Sequence, residues 1–301
     1  MTLRQKVKSQ FYSLQRQISR RRAGPAQCRQ ADRLVIFAMH AINHARSDMA
    51  VSPGRFREQL QSLLDAGYRP LAMNDVLDVL SGRKLSPAAF AITFDDGYES
   101  VFTQALPILE SLSIPATVFL TTGFLDGTVS PPWRSSNAEL LAEYRSQAEK
   151  FRPMSWDQAL TLARHPLIRF GSHSVSHPLL GTLPEESALE ELICSKATLA
   201  ERLGVVPDLF AYPYGVRRYG AYSEATERLV SESGYRCSLT SEISRARIGN
   251  GCWKIPRMSL TEEDTGTDAI AKAAGGYDWV GSAQSLYQFI FSNPHNKGTN
   301  Y

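Results

Sequence analysis

Short apolar runs recur along this chain, and stripes of helical period lie between them. Leu34–Met39 (LVIFAM), Phe90–Phe94 (FAITF), Ala116–Leu120 (ATVFL), Ile168–Phe170, Leu209–Tyr212 and Tyr235–Leu239 have strand length, are rich in β-branched and aromatic residues, and stop at polar or turn residues. They read as buried strands. Between the first two, Ser52 is placed to cap a helix that has Pro53 at its first position and Phe56, Leu60, Leu63 and Leu64 on one face. Asn74 is expected to cap a second, short helix carrying Val76, Leu77, Val79 and Leu80. The stripe Val101–Leu109 contains Pro107, which predicts a kink or a late helix start. Asn137–Lys150, Ser155–Arg164 and Ala221–Ser233 read as further helices, and Gly123–Ser136, which holds Trp133, as a loop. The longest stripe spans Thr182–Gly204, with Thr182 and Glu185 at capping-box spacing and Gly204 as the stop. Strands that alternate with helices predict a parallel α/β sheet.

Composition narrows this picture. The 301 residues are 43% hydrophobic and 21% charged, which is a globular balance. No run approaches the ~18 apolar residues of a spanning helix. Four cysteines without CxxC spacing argue against a zinc–cysteine site and a disulfide scaffold, and a net charge of +3 gives no reason to expect nucleic acid. The first 30 residues differ from the rest. They carry Arg4, Lys6, Lys8, Arg16, Arg20, Arg21, Arg22 and Arg29 and no acid, with Phe11, Leu14 and Ile18 on one helical face and Gly24-Pro25 as a break. Two readings fit: a solvated arm, or an amphipathic helix that makes peripheral contact with an anionic membrane. The expected organisation is a basic extension over 1–30, one α/β domain over 31–292 and a flexible tail over 293–301. The polar start gives no secretory segment, so the expected location is the cytoplasm, at the membrane if the basic helix binds it. No feature points to a protein partner.

Candidate chemistry sits where the second strand ends, in AFAITFDDGY at Ala89–Tyr98. A buried run that stops at Asp95, Asp96 and Gly97 puts two acids at the C-terminal lip of a core strand, the place where α/β folds build sites. A solvated Asp-Asp-Gly turn is the plain alternative. In GSHSVSHP, His173 and His177 stand four apart directly after another strand. That spacing can aim two imidazoles at one point, and a metal such as Zn²⁺ accepts imidazole and carboxylate together. The pair is not HExxH, because Ser174 follows His173, so a base must come from elsewhere.

Together, TFDDG at Thr93–Gly97, SHSVSHP at Ser172–Pro178 and AYPYG at Ala211–Gly215 resemble, in order, three motifs of the polysaccharide deacetylases, the NodB-homology superfamily or carbohydrate esterase family 4. The resemblance covers roughly Leu34–Leu260. It implies a distorted (β/α)₇ barrel and a metal-dependent hydrolase that removes N-acetyl groups from an aminosugar in a glycan or glycan precursor. It implies Asp95 as the catalytic base, and Asp96, His173 and His177 as ligands of a divalent metal, Zn²⁺ first with Co²⁺, Ni²⁺ or Fe²⁺ as alternatives. Tyr214 would offer a backbone N–H to the oxyanion, in a loop shaped by Pro213.

Three positions depart from the common pattern. Ala211 stands where many members carry an arginine that orients the base. Arg257 in KIPRMSL resembles the arginine that members with a YPYG motif carry late in the domain, and is expected to substitute. No histidine after Arg257 matches the usual general acid, since His295 lies in the tail. His40, at the end of LVIFAMH, resembles a histidine of the PgaB group of exopolysaccharide deacetylases, which assigns it protonation of the leaving amine. For the late Asp-Trp motif, Asp278-Trp279 is the candidate. Two rivals stay open: a deformylase or other amidase on a lipid-linked sugar, and a glycan-binding protein on the same barrel without catalysis.

Overall fold

The structure, a computed structural model, describes residues 3–23, 33–45, 47–83, 88–130, 147–249 and 251–281. Strands β1 (Arg33–Met39), β2 (Ala41–Ile42), β3 (Ala50–Val51), β4 (Arg69–Pro70), β5 (Ala89–Phe94) and β6 (Ala116–Leu120) fill the first part of the chain. Then come β7 (Ile168–Ser172), β8 (Leu209–Ala211), β9 (Cys237–Leu239), β10 (Ala246–Arg247) and β11 (Met258–Ser259). The main sheet runs β10-β1-β5-β6-β7-β8-β9. Its strands β1, β5, β6, β7, β8 and β9 are mutually parallel, and β11 lies parallel to β1. The segment leading into β11 also touches the far edge, because Ile255 bridges Leu239 of β9. The sheet therefore curls until its two ends share one segment, which is the expected distorted seven-stranded barrel with helices outside.

Alternation along the strands sorts side chains into two layers. Val35, Phe37, Met39, Phe90, Ile92 and Phe94 face outward and pack with Phe56, Leu60 and Leu63 of the helix Pro53–Asp65. Leu34, Ile36, Ala89, Ala91, Leu209 and Leu239 face inward. The same alternation puts Thr93 and Asp95 on the interior face. Ser52 caps the Pro53–Asp65 helix as expected, its hydroxyl accepting the Arg55 amide at 3.4 Å.

Several local expectations are corrected. The short helix starts at Met73 after Ala72, so Asn74 lies inside it and does not cap it. Thr182 belongs to a 3-10 turn, and the long helix Glu185–Leu203 starts after Pro184 with no side-chain cap. Leu183, which precedes Pro184, is held extended at ψ 154°, so the chain leaves the helical region between Thr182 and Glu185 and their box does not form. The late helix start expected at Pro107 is observed: the α-helix Leu106–Leu112 begins with Pro107 in its first turn, after a widened π turn over Val101–Ala105. Trp133, the Phe11 side chain, most of the expected Asn137–Lys150 helix, and the tail with His295 lie outside what the structure describes, although Ala148–Phe151 is a 3-10 turn.

The basic N-terminal segment is a docked helix, not a solvated arm. It spans Leu3–Arg22. Arg20 grips the buried Asp268 with two bonds of 2.6 Å, Arg16 pairs with Glu263 at 2.8 Å, and Ser19 is fully buried and accepts from the Trp279 indole. Leu14 is more than half exposed, so the contact is polar and centred on Ser19 and Arg20. No helix among the described residues is long and apolar enough to cross a membrane.

Candidate metal centre and catalytic site

Three strand ends converge on one buried cluster. The Asp95 amide donates to the Met39 carbonyl at 2.9 Å, which extends the β1–β5 ladder one step and sets Asp95 beside His40. Asp96 then turns back with φ +70°, and Gly97 continues the turn at φ +83°. A side chain at Gly97 would meet Leu120 Cδ2 at 2.5 Å, so this turn needs glycine. The histidines leave the end of β7. The Ser174 hydroxyl accepts the His177 amide at 3.0 Å, which bends the intervening residues into a compact loop. Six described non-glycine residues have positive φ, and four of them, Asp96, Ser174, His177 and Tyr214, lie here. Backbone held in that region at one locus is characteristic of functional sites.

The ligand atoms of Asp96, His173 and His177 all lie within 4.8 Å of one another, and all three residues are buried. His177 Nε2 is 3.3 Å and His173 Nε2 3.7 Å from Asp96 Oδ1. His173 Nδ1 lies 2.7 Å from the Ala211 carbonyl. A carbonyl only accepts, so Nδ1 carries the proton and Nε2 is left with its lone pair toward Asp96. Burial pushes both imidazoles down to about 4, which keeps them neutral, the form that binds metal. Burial pushes Asp96 up, against the pull of His40 and His173. The Tyr98 hydroxyl opposes that rise weakly, yet no hydrogen bond closes on either Asp96 oxygen. A buried carboxylate without hydrogen bonds facing two neutral imidazole nitrogens is costly unless a cation joins them. The donor set of one carboxylate and two imidazoles fits a divalent metal.

Asp95 has the opposite surroundings. Arg257, fully buried, donates from Nη1 to Oδ1 and from Nη2 to Oδ2, each at 2.7 Å. Nη1 also donates to the Thr93 hydroxyl and Nε to the Thr240 carbonyl, both at 3.0 Å. Burial alone would push the Asp95 carboxyl up; the Arg257 guanidinium overrides it and holds Asp95 well below the usual carboxylate range. His40, half-buried, lies close enough for its charge to act on Asp95, Asp96 and His177. Tyr214, 46% exposed, sets its ring edge-on to His177 with centroids 4.6 Å apart. The Pro213 carbonyl accepts the Gly215 amide at 2.7 Å and closes the tight turn that carries Tyr214.

The sequence-level residues Asp95, Asp96, His173, His177, His40, Arg257, Pro213 and Tyr214 thus gather in one place. Asp278-Trp279 does not join them. Asp278 pairs with Arg245 and with Arg33 at the start of β1, the opposite end from the site. Sequence reasoning passed over Thr93, which takes one Arg257 N–H. Its position two residues before Asp95, on the same strand face, was the signal.

Residues 82–238 match the family model for polysaccharide deacetylase. A poly-beta-1,6-N-acetyl-D-glucosamine N-deacetylase of Escherichia coli K12 is 24% identical over 249 residues, covering 75% of this chain and 36% of that protein. This chain therefore spans little more than a third of that relative. Among solved structures, IcaB from Ammonifex degensii superposes with a TM-score of 0.67 at 27% identity, covering 82% of this chain and 99% of that one. The Streptococcus pyogenes deacetylase PplD, solved with acetate, gives 0.66 at 22% identity over 80% and 98%, a likeness of fold.

Proposed function

This chain belongs to the polysaccharide deacetylase family, and from that premise we propose that it hydrolyses N-acetyl groups from an N-acetylglucosamine-type glycan, with Zn²⁺ as its metal. The observation that carries the reading is the split between two adjacent acids: Asp96 faces two neutral imidazoles, and Asp95 is held ionised by Arg257. The glycan class draws on the Escherichia coli relative named for poly-beta-1,6-N-acetyl-D-glucosamine. Zinc is favoured by the mixed nitrogen and oxygen donors, which Co²⁺, Ni²⁺ and Fe²⁺ can also use.

Asp96, His173 and His177 would hold a divalent cation, which would supply Lewis acidity toward a water and the amide carbonyl. Asp95 is the base that takes the proton of the attacking water, and Arg257 keeps it ionised and aimed. The Tyr214 backbone N–H is the donor for the carbonyl oxygen as charge builds there. His40 returns a proton to the departing nitrogen. The C–N bond breaks, giving acetate and a free amine on the sugar. The test is product analysis on β-1,6-linked N-acetylglucosamine oligomers. Acetate in equal amount to new amine is expected; formate from an N-formyl sugar, with no acetate, would reassign the chain to deformylation.

A further inference from the structure

The two histidine ligands are joined by a strained loop, and a side chain from a distant helix grips that loop. Ser174 has φ +69° and His177 φ +60°, conformations that non-glycine residues adopt at a cost. On one side, the carbonyls of Ser174 and Val175 accept the amides of Thr122 and Gly123 at 3.2 and 2.9 Å. On the other side stands Glu191, in the second turn of the helix Glu185–Leu203. Its Oε2 accepts the amides of Val175 and Ser176 at 2.8 and 2.9 Å, and its Oε1 accepts the Ser176 hydroxyl at 2.5 Å. Charge-assisted bonds of this kind are about twice as strong as neutral ones. One carboxylate thus satisfies three donors on two of the three residues between His173 and His177.

We propose that Glu191 is a positioning residue for the metal centre: it holds the Ser174–Ser176 turn in its strained form, so that His173 and His177 are pre-set toward Asp96 before metal arrives. It touches neither ligand nor substrate and acts through the backbone between the ligands. Without it the Val175 and Ser176 amides lose their acceptor, the turn relaxes away from its left-handed residues, and metal binding must then restore the geometry at the expense of affinity. The inference rests on the metal-site reading above.

The test is metal affinity measured by chelator competition, together with hydrogen exchange of the Val175, Ser176 and His177 amides in metal-free protein. Wild-type protein that bound no metal would sink the metal-site reading itself, so the two failures are separable. With wild type binding, Glu191→Ala is expected to weaken affinity about 10- to 100-fold, as loss of supporting partners around metal ligands does, and to speed exchange at those amides. Glu191→Gln keeps an acceptor oxygen for the amides and is expected to recover most of the affinity, and the exposed neighbour substitution Glu190→Ala to change nothing. Unchanged affinity and exchange in folded Glu191→Ala would overturn the proposal, as would a Glu191→Gln no better than Ala. If Glu191→Ala does not fold, Ser176→Ala removes one of the three bonds; a smaller loss of affinity supports the proposal and no loss refutes it.

Discussion

Arg257 closes both of its terminal nitrogens on the two carboxylate oxygens of Asp95 at 2.7 Å, across 162 residues of sequence. This fork fixes the orientation of Asp95 as well as its charge, because a guanidinium matches a carboxylate in plane and in spacing. Arg257 itself is fixed by Thr93 and the Thr240 carbonyl, so Asp95 is held by a chain of contacts that reaches from β5 past the end of β9.

Substituting Arg257 tests that hold. Arg257→Lys keeps the charge and loses the fork, and kcat/KM is expected to fall about 100-fold, the scale of an ångström-sized misplacement. Arg257→Leu leaves Asp95 buried without a partner and is expected to cost about 3–5 kcal/mol of stability. The sign on pH follows from the same pair. With Arg257 present the Asp95 carboxyl is held low, so the acid limb of kcat/KM assigned to this base lies below the usual carboxylate range. Without Arg257, burial dominates and that limb moves to higher pH. A pH–rate profile of the folded variant checks it, and an unmoved limb contradicts it.

His40 can be separated from the other groups by the leaving group. If it protonates the departing amine, His40→Gln is expected to slow acetamide hydrolysis by about 10²–10⁴-fold. An activated aryl acetate, whose leaving group departs without a proton, should be largely spared. Equal losses on both substrates would assign His40 to structure.

Docking of the N-terminal helix has its own pH signature. Burial pushes the Asp268 carboxyl up, but bonds from Arg20 and Thr265 more than offset this, so it sits below its ordinary value in the folded protein. A carboxyl with a depressed folded pKa stabilises above its unfolded pKa and loses that contribution as pH falls through the folded value. Arg20→Ala is therefore expected to lower stability by about 1–2 kcal/mol near neutral pH, with the difference from wild type vanishing in acid. Denaturant unfolding at several pH values measures it.

What the sequence disclosed, and what it withheld, divides by range. The strands Leu34–Met39, Phe90–Phe94 and Ala116–Leu120 were readable because each is a short apolar run buried on both faces, and the structure places them within a residue of those bounds. Asp95, Asp96, His173 and His177 were readable because they follow strand ends in compact motifs. Contacts between remote positions were not. Arg257 could be singled out only through resemblance, since nothing local to KIPRMSL points to Asp95. Glu191 lies 16 and 15 residues from the amides it accepts, so no local pattern ties it to them. Arg20 looked solvated because Asp268, its partner, lies 248 residues away. Thr182 and Glu185 had the spacing of a cap, and Pro184 between them overrode it.

The most direct test of the central claim is acetate release from an N-acetylglucosamine oligomer, followed as metal-free protein is titrated with Zn²⁺, for wild type and Asp95→Asn side by side. The expected result is one equivalent of metal bound by both proteins, with acetate released by wild type in proportion to metal bound and by Asp95→Asn not at all. Loss of metal binding in Asp95→Asn would show that the roles of Asp95 and Asp96 are reversed. Wild type that takes up none of Zn²⁺, Co²⁺, Ni²⁺ or Fe²⁺, or that releases acetate equally with a chelator present, would contradict the account.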